Sequence, residues 1–299
     1  MTWILFAVLG YFMYSLATVS NKFLLRQRAT TKPLVFTFWV CLFSIITFIL
    51  APFGLHWPGW GWIAFDLLTG LVFFGSLWSF YHALDINEAS RAASFFGGLT
   101  PIFVLFFSYL FLGEELGKMQ LAAFLVLTLG GFLISLEKGK DGFRERLKGW
   151  WFFALTIILH AAYFVMLKHL FIYQDFITGF VWSRMGLVLA ALVILLNPAW
   201  RKTIFGSARE ASAGVDFLML GSKIVAGLGS FFISLAIAKG NVSLVNALQG
   251  SEYAFLFFLT ILLSSKFPNI LREKLNGAII AQKIAAIFFI CLGLALIAL

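Results

Sequence analysis

Ten apolar runs, each about as long as a bilayer core is thick, follow one another along the 299 residues with only short breaks between them. A helix needs roughly 20 apolar residues to cross the hydrocarbon. The runs fall at about 3–24, 33–53, 60–82, 90–111, 118–136, 149–169, 174–196, 214–238, 242–263 and 277–298. Hydrophobic residues make up 62% of the chain and charged residues 12%, with a mean hydropathy of +0.97; soluble domains hold roughly 45–50% and 25%. That polar surface is too small to cover a water-soluble globule, so lipid must be the solvent. The runs are apolar all round instead of alternating, which argues against a β-barrel. They predict an all-α, polytopic membrane protein of ten transmembrane helices.

Gly and Pro mark the joints, as in APFGLHWPGWGW (51–62) and NPAW (197–200). Trp57, Trp60 and Trp62, and Trp150 with Trp151, sit where an aromatic belt would lie. The net charge of +9 could point to nucleic acid, but the basic residues occupy short loops between apolar runs, so no nucleic-acid partner is expected. Cys41 and Cys291 lie inside apolar runs and build no disulfide framework. The first run lacks a basic leader and a small-residue cleavage site, so it reads as a retained span. A multi-pass protein of the plasma (inner) membrane is the expectation.

Shifted by 153 positions, ALDINEASRAASFFGG (83–98) overlies AIAKGNVSLVNALQGS (236–251). In both, a span ends, a short polar turn follows, and a small-residue helix begins. LGEEL (112–116) then corresponds to LREKL (271–275), and GGFLI (130–134) to GLALI (293–297). Five spans per half is an odd number, so two such halves enter the membrane in opposite directions. Inverted repeats of this kind characterise secondary transporters, with the binding site near the midplane between the halves.

YHALDINEASRAASFFGGLTPIFVLFFSYLFLGEEL (81–116), with its small-residue entry, Pro101 and closing Gly113-Glu114, resembles the EamA branch of the drug/metabolite transporter superfamily. Span one, with SNKFLL (20–25), is similar to that family's first helix. The resemblance implies two five-helix repeats, 1–137 and 149–299, that export or exchange small metabolites, amino acids among them, without ATP. The second half departs from the pattern, with Ala254 in place of the helix proline and LREKL in place of the Gly-Glu corner.

Four ionisable residues fall near span centres: His160, Arg184, Lys223 and Glu252, one each on spans six to nine. A charge at that depth costs roughly 2.5–3.5 kcal/mol on insertion scales and usually faces an interior cavity. Glu252 is expected to neutralise Arg184 or Lys223, leaving the other base to receive a substrate carboxylate or phosphate; an ion pair that merely locks helices is the plainer alternative. His160 is read first as a packed, hydrogen-bonded residue and second as a proton relay. Gln249 and Tyr253 flank Glu252 as further polar contacts. Asn21, Trp39, Trp78 and Tyr81 offer small polar and aromatic groups for the opposite wall. Lys283 and Asp66 sit nearer span ends and read as snorkelling, Lys168 as interfacial. The glycines of GGFLI and GLALI would let spans five and ten approach closely, as scaffold or as a homodimer seam.

Sixteen Lys and Arg residues fall on one side of the membrane and three on the other, which places both termini outside, whereas the resemblance implies termini inside. The leading functional expectation is a carrier of a small polar metabolite, most simply an amino acid or other organic anion. A multidrug or lipid-linked-sugar translocator is the alternative within the fold. A membrane transferase fits less well: no HExxH or DxxxD occurs, and the adjacent acids Glu114 and Glu115 have no His or Asp neighbour. No metal or other cofactor is called for.

Overall fold

The computed structural model describes residues 2–27, 33–86, 89–136, 149–209, 213–264, 266–267 and 277–298. The charged stretch 137–148 and LREKL (271–275) lie outside the described residues. Among the described residues the fold is entirely helical: α1 (Thr2–Gln27), α2 (Pro33–Phe43) continued by a 3-10 segment (Ser44–Phe53), α3 (Trp60–Ile86), α4 (Ala89–Leu112), α5 (Lys118–Ser135), α6 (Trp150–Tyr173), α7 (Phe176–Leu196), α8 (Pro198–Arg209), α9 (Ala213–Lys239), α10 (Val242–Ala247), α11 (Gly250–Ser264) and α12 (Gly277–Ala298). Nine stretches among them are long and apolar enough to cross a bilayer, and α4 adds a shorter apolar stretch, Phe96–Leu112.

Three helix starts follow from local chemistry. Asp175 caps α7 by accepting from the Thr178 amide at 3.0 Å, and Asn241 caps α10 through the Ser243 and Leu244 amides. Asn197 accepts from the Ala199 amide at 3.0 Å, with Pro198 as first helical residue. NPAW thus starts a helix as well as ending a span: Asn at the cap and Pro at the first position satisfy orphan amides and pre-set φ. The resulting α8, unexpected from the sequence, buries Ile204 and exposes Arg201 and Lys202.

Helices α1 and α9 pack along each other, as do α3 and α6, α3 and α7, and α5 and α12. The α5–α12 seam has a two-fold character. A Cβ on Gly130 would meet Ile290 and the Ala286 carbonyl; one on Gly293 would meet Leu127 and the Ala123 carbonyl. Each glycine therefore faces the residues three and seven positions before the other glycine. These small faces close on each other within the chain, as scaffold. At the α3–α7 crossing Gly70 and Gly186 face each other so closely that a Cβ on either would lie 2.7–2.8 Å from the other's Cα.

One end of the bundle is tied by polar contacts between short loops. Lys168 donates to the Ile237 and Gly240 carbonyls at 3.0 and 2.8 Å, and its Nζ lies 3.7 Å from Glu114, which accepts from the Val242 amide. Lys168 is therefore a tie between elements. Asp66 does not snorkel either: it is fully buried and accepts from Gln174 Nε2 at 3.3 Å, joining α3 to the end of α6.

Candidate functional site

Two interruptions in the spans shape the centre of the bundle. Helix α10 stops at Ala247, Leu248 and Gln249 turn, and α11 starts at Gly250. The turn is held by short-range bonds, among them Gln249 N to Asn246 O and Glu252 N to Gln249 O, both 3.0 Å. Glu252 therefore occupies the first turn of α11, where the helix dipole presents its positive end. That is the physical reason a carboxylate is tolerated in the stretch ALQGSEYAFLFF. The second interruption is the 3-10 segment after α2. With three residues per turn, Phe43, Ile46 and Ile49 stack in one row.

A cavity of about 940 Å³ lies between these elements. Arg184 of α7, Lys223 of α9, Glu252 of α11 and His160 of α6 all line it, together with Gln249, Tyr253, Tyr81 and Asn21. Trp39 and Trp78 do not. Trp39 packs on Phe38 and Phe43 at 5.3 and 5.5 Å, and Trp78 on Phe74, His82 and Trp200 at 4.8–5.8 Å. Both belong to an apolar cluster where α2 and α3 meet α7 and α8. An aromatic ring in a membrane helix is as well satisfied there as in a cavity, and the sequence does not separate the two.

The expected pairing of Glu252 with a base is absent: no ion pair joins it to Arg184 or Lys223. Its Oε1 accepts from Thr18 of α1 at 3.3 Å. Arg184, only 4% exposed, donates from Nη2 to the Tyr163 hydroxyl at 2.9 Å and to Ser230 Oγ at 2.6 Å. Its guanidinium carbon lies 4.9 Å from the Phe180 ring centroid and 5.3 Å from that of Phe73. Aromatic faces and neutral oxygens thus hold this cation in place. Nη1 and Nε have no hydrogen-bond acceptor among the described residues. Lys223 Nζ sits 4.8 Å from the Phe36 ring of α2.

His160 is packed: Ser76 Oγ lies 3.0 Å from its Nδ1, and Phe96 and Phe164 meet its ring edge-on at 4.7 Å. Lys283, read as snorkelling, is instead 5% exposed, lines the cavity and lies 4.5 Å from the Phe257 ring. A signal for it was present, since seven residues into α12 place it about 10 Å from the helix start, a long reach to the interface. Tyr11, Tyr163 and Ser230 also line the cavity and were not singled out from the sequence. Tyr11 donates to the Val245 carbonyl at 3.0 Å, stitching α1 to α10. Gln249 Oε1 is buried with no hydrogen-bond partner.

A solved structure described only as "Crystal structure of protein" superposes with a TM-score of 0.67, covering 97% of this chain and 95% of the other at 18% identity. At that identity the likeness concerns the fold. No curated protein matches significantly. The family model for the EamA-like transporter family matches residues 1–136, the half that contains Pro101 and the Gly113-Glu114 corner. The resemblance read from residues 81–116 is thus shown over residues 1–136, which match the EamA-like transporter family of the drug/metabolite transporter superfamily.

Proposed function

We propose that the chain is a secondary carrier of a small polar organic anion, an amino acid carboxylate being the simplest case, that works by alternating access across the plasma (inner) membrane. The observation that carries this reading is the state of Arg184: a buried guanidinium on a cavity wall, with two nitrogens open to an acceptor and no carboxylate beside it. A planar fork of this kind suits a carboxylate or phosphate in a bidentate contact. Lys223 and Lys283 add positive potential on the same walls, and Glu252 is the single acid among the described residues that line it. Gln249 and Asn21 offer amide groups, and Tyr253 and Tyr81 hydroxyls, for the rest of an amino acid.

Alternating access in this reading rests on two inverted five-span halves, 1–137 and 149–299, with α4 as one of ten spans. The matched Gly130 and Gly293 contacts support it, as does the packing of α1 on α9 alongside that of α3 on α6. The test is uptake into proteoliposomes with a panel of amino acids, sugar phosphates and organic cations. Arg184→Gln removes charged hydrogen bonds worth about 1.5–3 kcal/mol, so anion uptake should fall roughly 10- to 150-fold. A preference for organic cations that persists in Glu252→Gln would overturn the proposal.

A further inference from the structure

Helix α9 carries two adjoining stripes. Lys223, Gly227, Ser230 and Ser234 recur at helical spacing and line the cavity; Leu220, Ile224 and Leu228 form the neighbouring apolar stripe and line it too. Facing them, the 3-10 row contributes Ile46 and Ile49. These apolar side chains are cavity-lining and exposed at once: Ile49 is 72% exposed, and Ile46, Ile224 and Leu228 are 47–48% exposed. Side chains exposed to this degree cannot be walled in by protein. The cavity therefore reaches the lipid-facing surface between the 3-10 segment and α9.

The packing of the neighbours explains the opening. α2 and the 3-10 segment lean on α3 and α7, while α9 lies along α1. The contact of Lys223 with the Phe36 ring crosses from α9 to α2 and bounds the opening at one end. From Phe36 to Ile49 the rim is about 20 Å tall. Its side chains are mostly apolar, Ser44 and Thr47 being the polar members, whereas Lys223 stands at one end and Arg184 on the cavity wall behind it.

We infer that this opening is a lateral portal for an apolar chain, so that the anion the cavity takes is an amphiphile: its carboxylate or phosphate head sits at Arg184 and its single hydrocarbon tail passes between Ile46 and Leu228 into the bilayer. The inference rests on the anion-carrier reading and narrows its substrate class. Charge complementarity fixes the head, because a cation held by aromatic rings and hydroxyls lacks its own counterion. The rim fixes the tail, because an entirely hydrophilic solute gains nothing from an apolar slot in contact with lipid.

A matched pair of probes separates the two ideas: glycerol 3-phosphate and its 1-acyl derivative, lysophosphatidate, which share a head and differ only in the chain. Proteoliposomes holding the full-length protein are assayed for uptake of the first and, by albumin back-extraction, for translocation of the second. Wild type is expected to translocate the acylated probe above protein-free vesicles, and Arg184→Gln to lose it. Narrowing the portal with Ile46→Trp plus Leu228→Trp should slow the acylated probe at least roughly tenfold, the scale on which apolar sites discriminate by shape. Glycerol 3-phosphate uptake should fall clearly less in that variant than translocation of the acylated probe, because the two side chains line the opening and do not contact Arg184. Uptake of glycerol 3-phosphate without translocation of the acylated probe would overturn the portal and leave the carrier standing. Equal effects of the tryptophans on both probes, in protein that still elutes as a single species, would overturn the portal as well. Failure to move either probe would overturn the portal, while the anion-carrier reading is decided separately by the amino acid arm of the uptake panel.

Discussion

The α3–α7 crossing gives a sharp test, because Gly186 lies two residues beyond Arg184 on the same helix and its partner helix carries Phe73, one of the rings that hold the guanidinium. A Cβ at position 186 would overlap the Leu67 carbonyl oxygen and stand 2.8 Å from Gly70 Cα. Ordinary contact begins near 3.4 Å, so the helices must part by about 0.6 Å on the Cα alone. Both obstacles are backbone, which cannot rotate away as a side chain end would. Overpacking of this kind costs about 1–3 kcal/mol, and the rigid obstacle puts Gly186→Ala toward the upper part of that range. Replacing a helical glycine by alanine returns about 0.5–1 kcal/mol of helix propensity, leaving a net loss near 2 kcal/mol.

Gly227 on α9 is the internal control. A Cβ there would meet nothing within 4 Å, so Gly227→Ala should gain the propensity term alone. The two variants should therefore differ by about 3 kcal/mol, or about 5 °C in melting temperature for a chain of this length. Thermal unfolding in one mild detergent, with both variants and wild type side by side, measures it. Gly186→Ala melting at or above wild type while Gly227→Ala behaves as expected would refute the claim that bare backbones set the α3–α7 distance.

Two further outcomes follow from the ties at the end of the bundle. Lys168→Met should destabilise more than Glu114→Gln, because it orphans the Ile237 and Gly240 carbonyls at about 1–3 kcal/mol per buried group, whereas the 3.7 Å ion pair is long; the reverse order in thermal melting would refute the ranking. Asp175→Asn should leave stability within a few tenths of a kcal/mol and Asp175→Ala should cost about 1 kcal/mol, since the residue acts as the α7 cap. Its ion pair with His56, at 3.1 Å, is largely exposed and contributes little; equal losses in both variants, measured in the same detergent, would mean that the ion pair and not the cap is what matters.

Span positions were legible in the sequence because lipid sets one demand, a run of apolar residues long enough to satisfy its own backbone, and that demand is written residue by residue. The transporter family was legible in one half only, where Pro101 and the Gly113-Glu114 corner survive. The interruptions were harder to read. Hydropathy is nearly blind to the change from α to 3-10 at Ser44, since Ser44–Phe53 is as apolar as Pro33–Phe43. The break before α11 shows only as Gly250, one glycine among 26. Depth in a span placed Arg184, Lys223 and Glu252 among the candidates, but depth does not say which helix face a residue takes. That is why Trp39 and Trp78 were read as cavity aromatics, whereas Lys283 was read as snorkelling because it lies nearer a span end.

The missing ion pair bears most on mechanism. Had Glu252 bonded Arg184, the two charges would have cancelled in place, and a substrate anion would have had to break a buried pair to bind, leaving a carboxylate uncompensated at a cost of about 3–5 kcal/mol. The fold avoids that penalty by giving each charge a separate neutral host. Glu252 has the amino end of α11 and the Thr18 hydroxyl; Arg184 has rings, a phenol and a serine. Thr18 lies on α1, in the first half, and Arg184 on α7, in the second. Glu252 is thus tied to the first half through Thr18, whereas the two hydrogen bonds of Arg184 stay within the second half and only its Phe73 ring contact reaches the first. On the proposed reading, an anion on Arg184 would change the balance of these contacts without first dismantling them, which is what a carrier needs if binding is to stay reversible on both sides of the membrane.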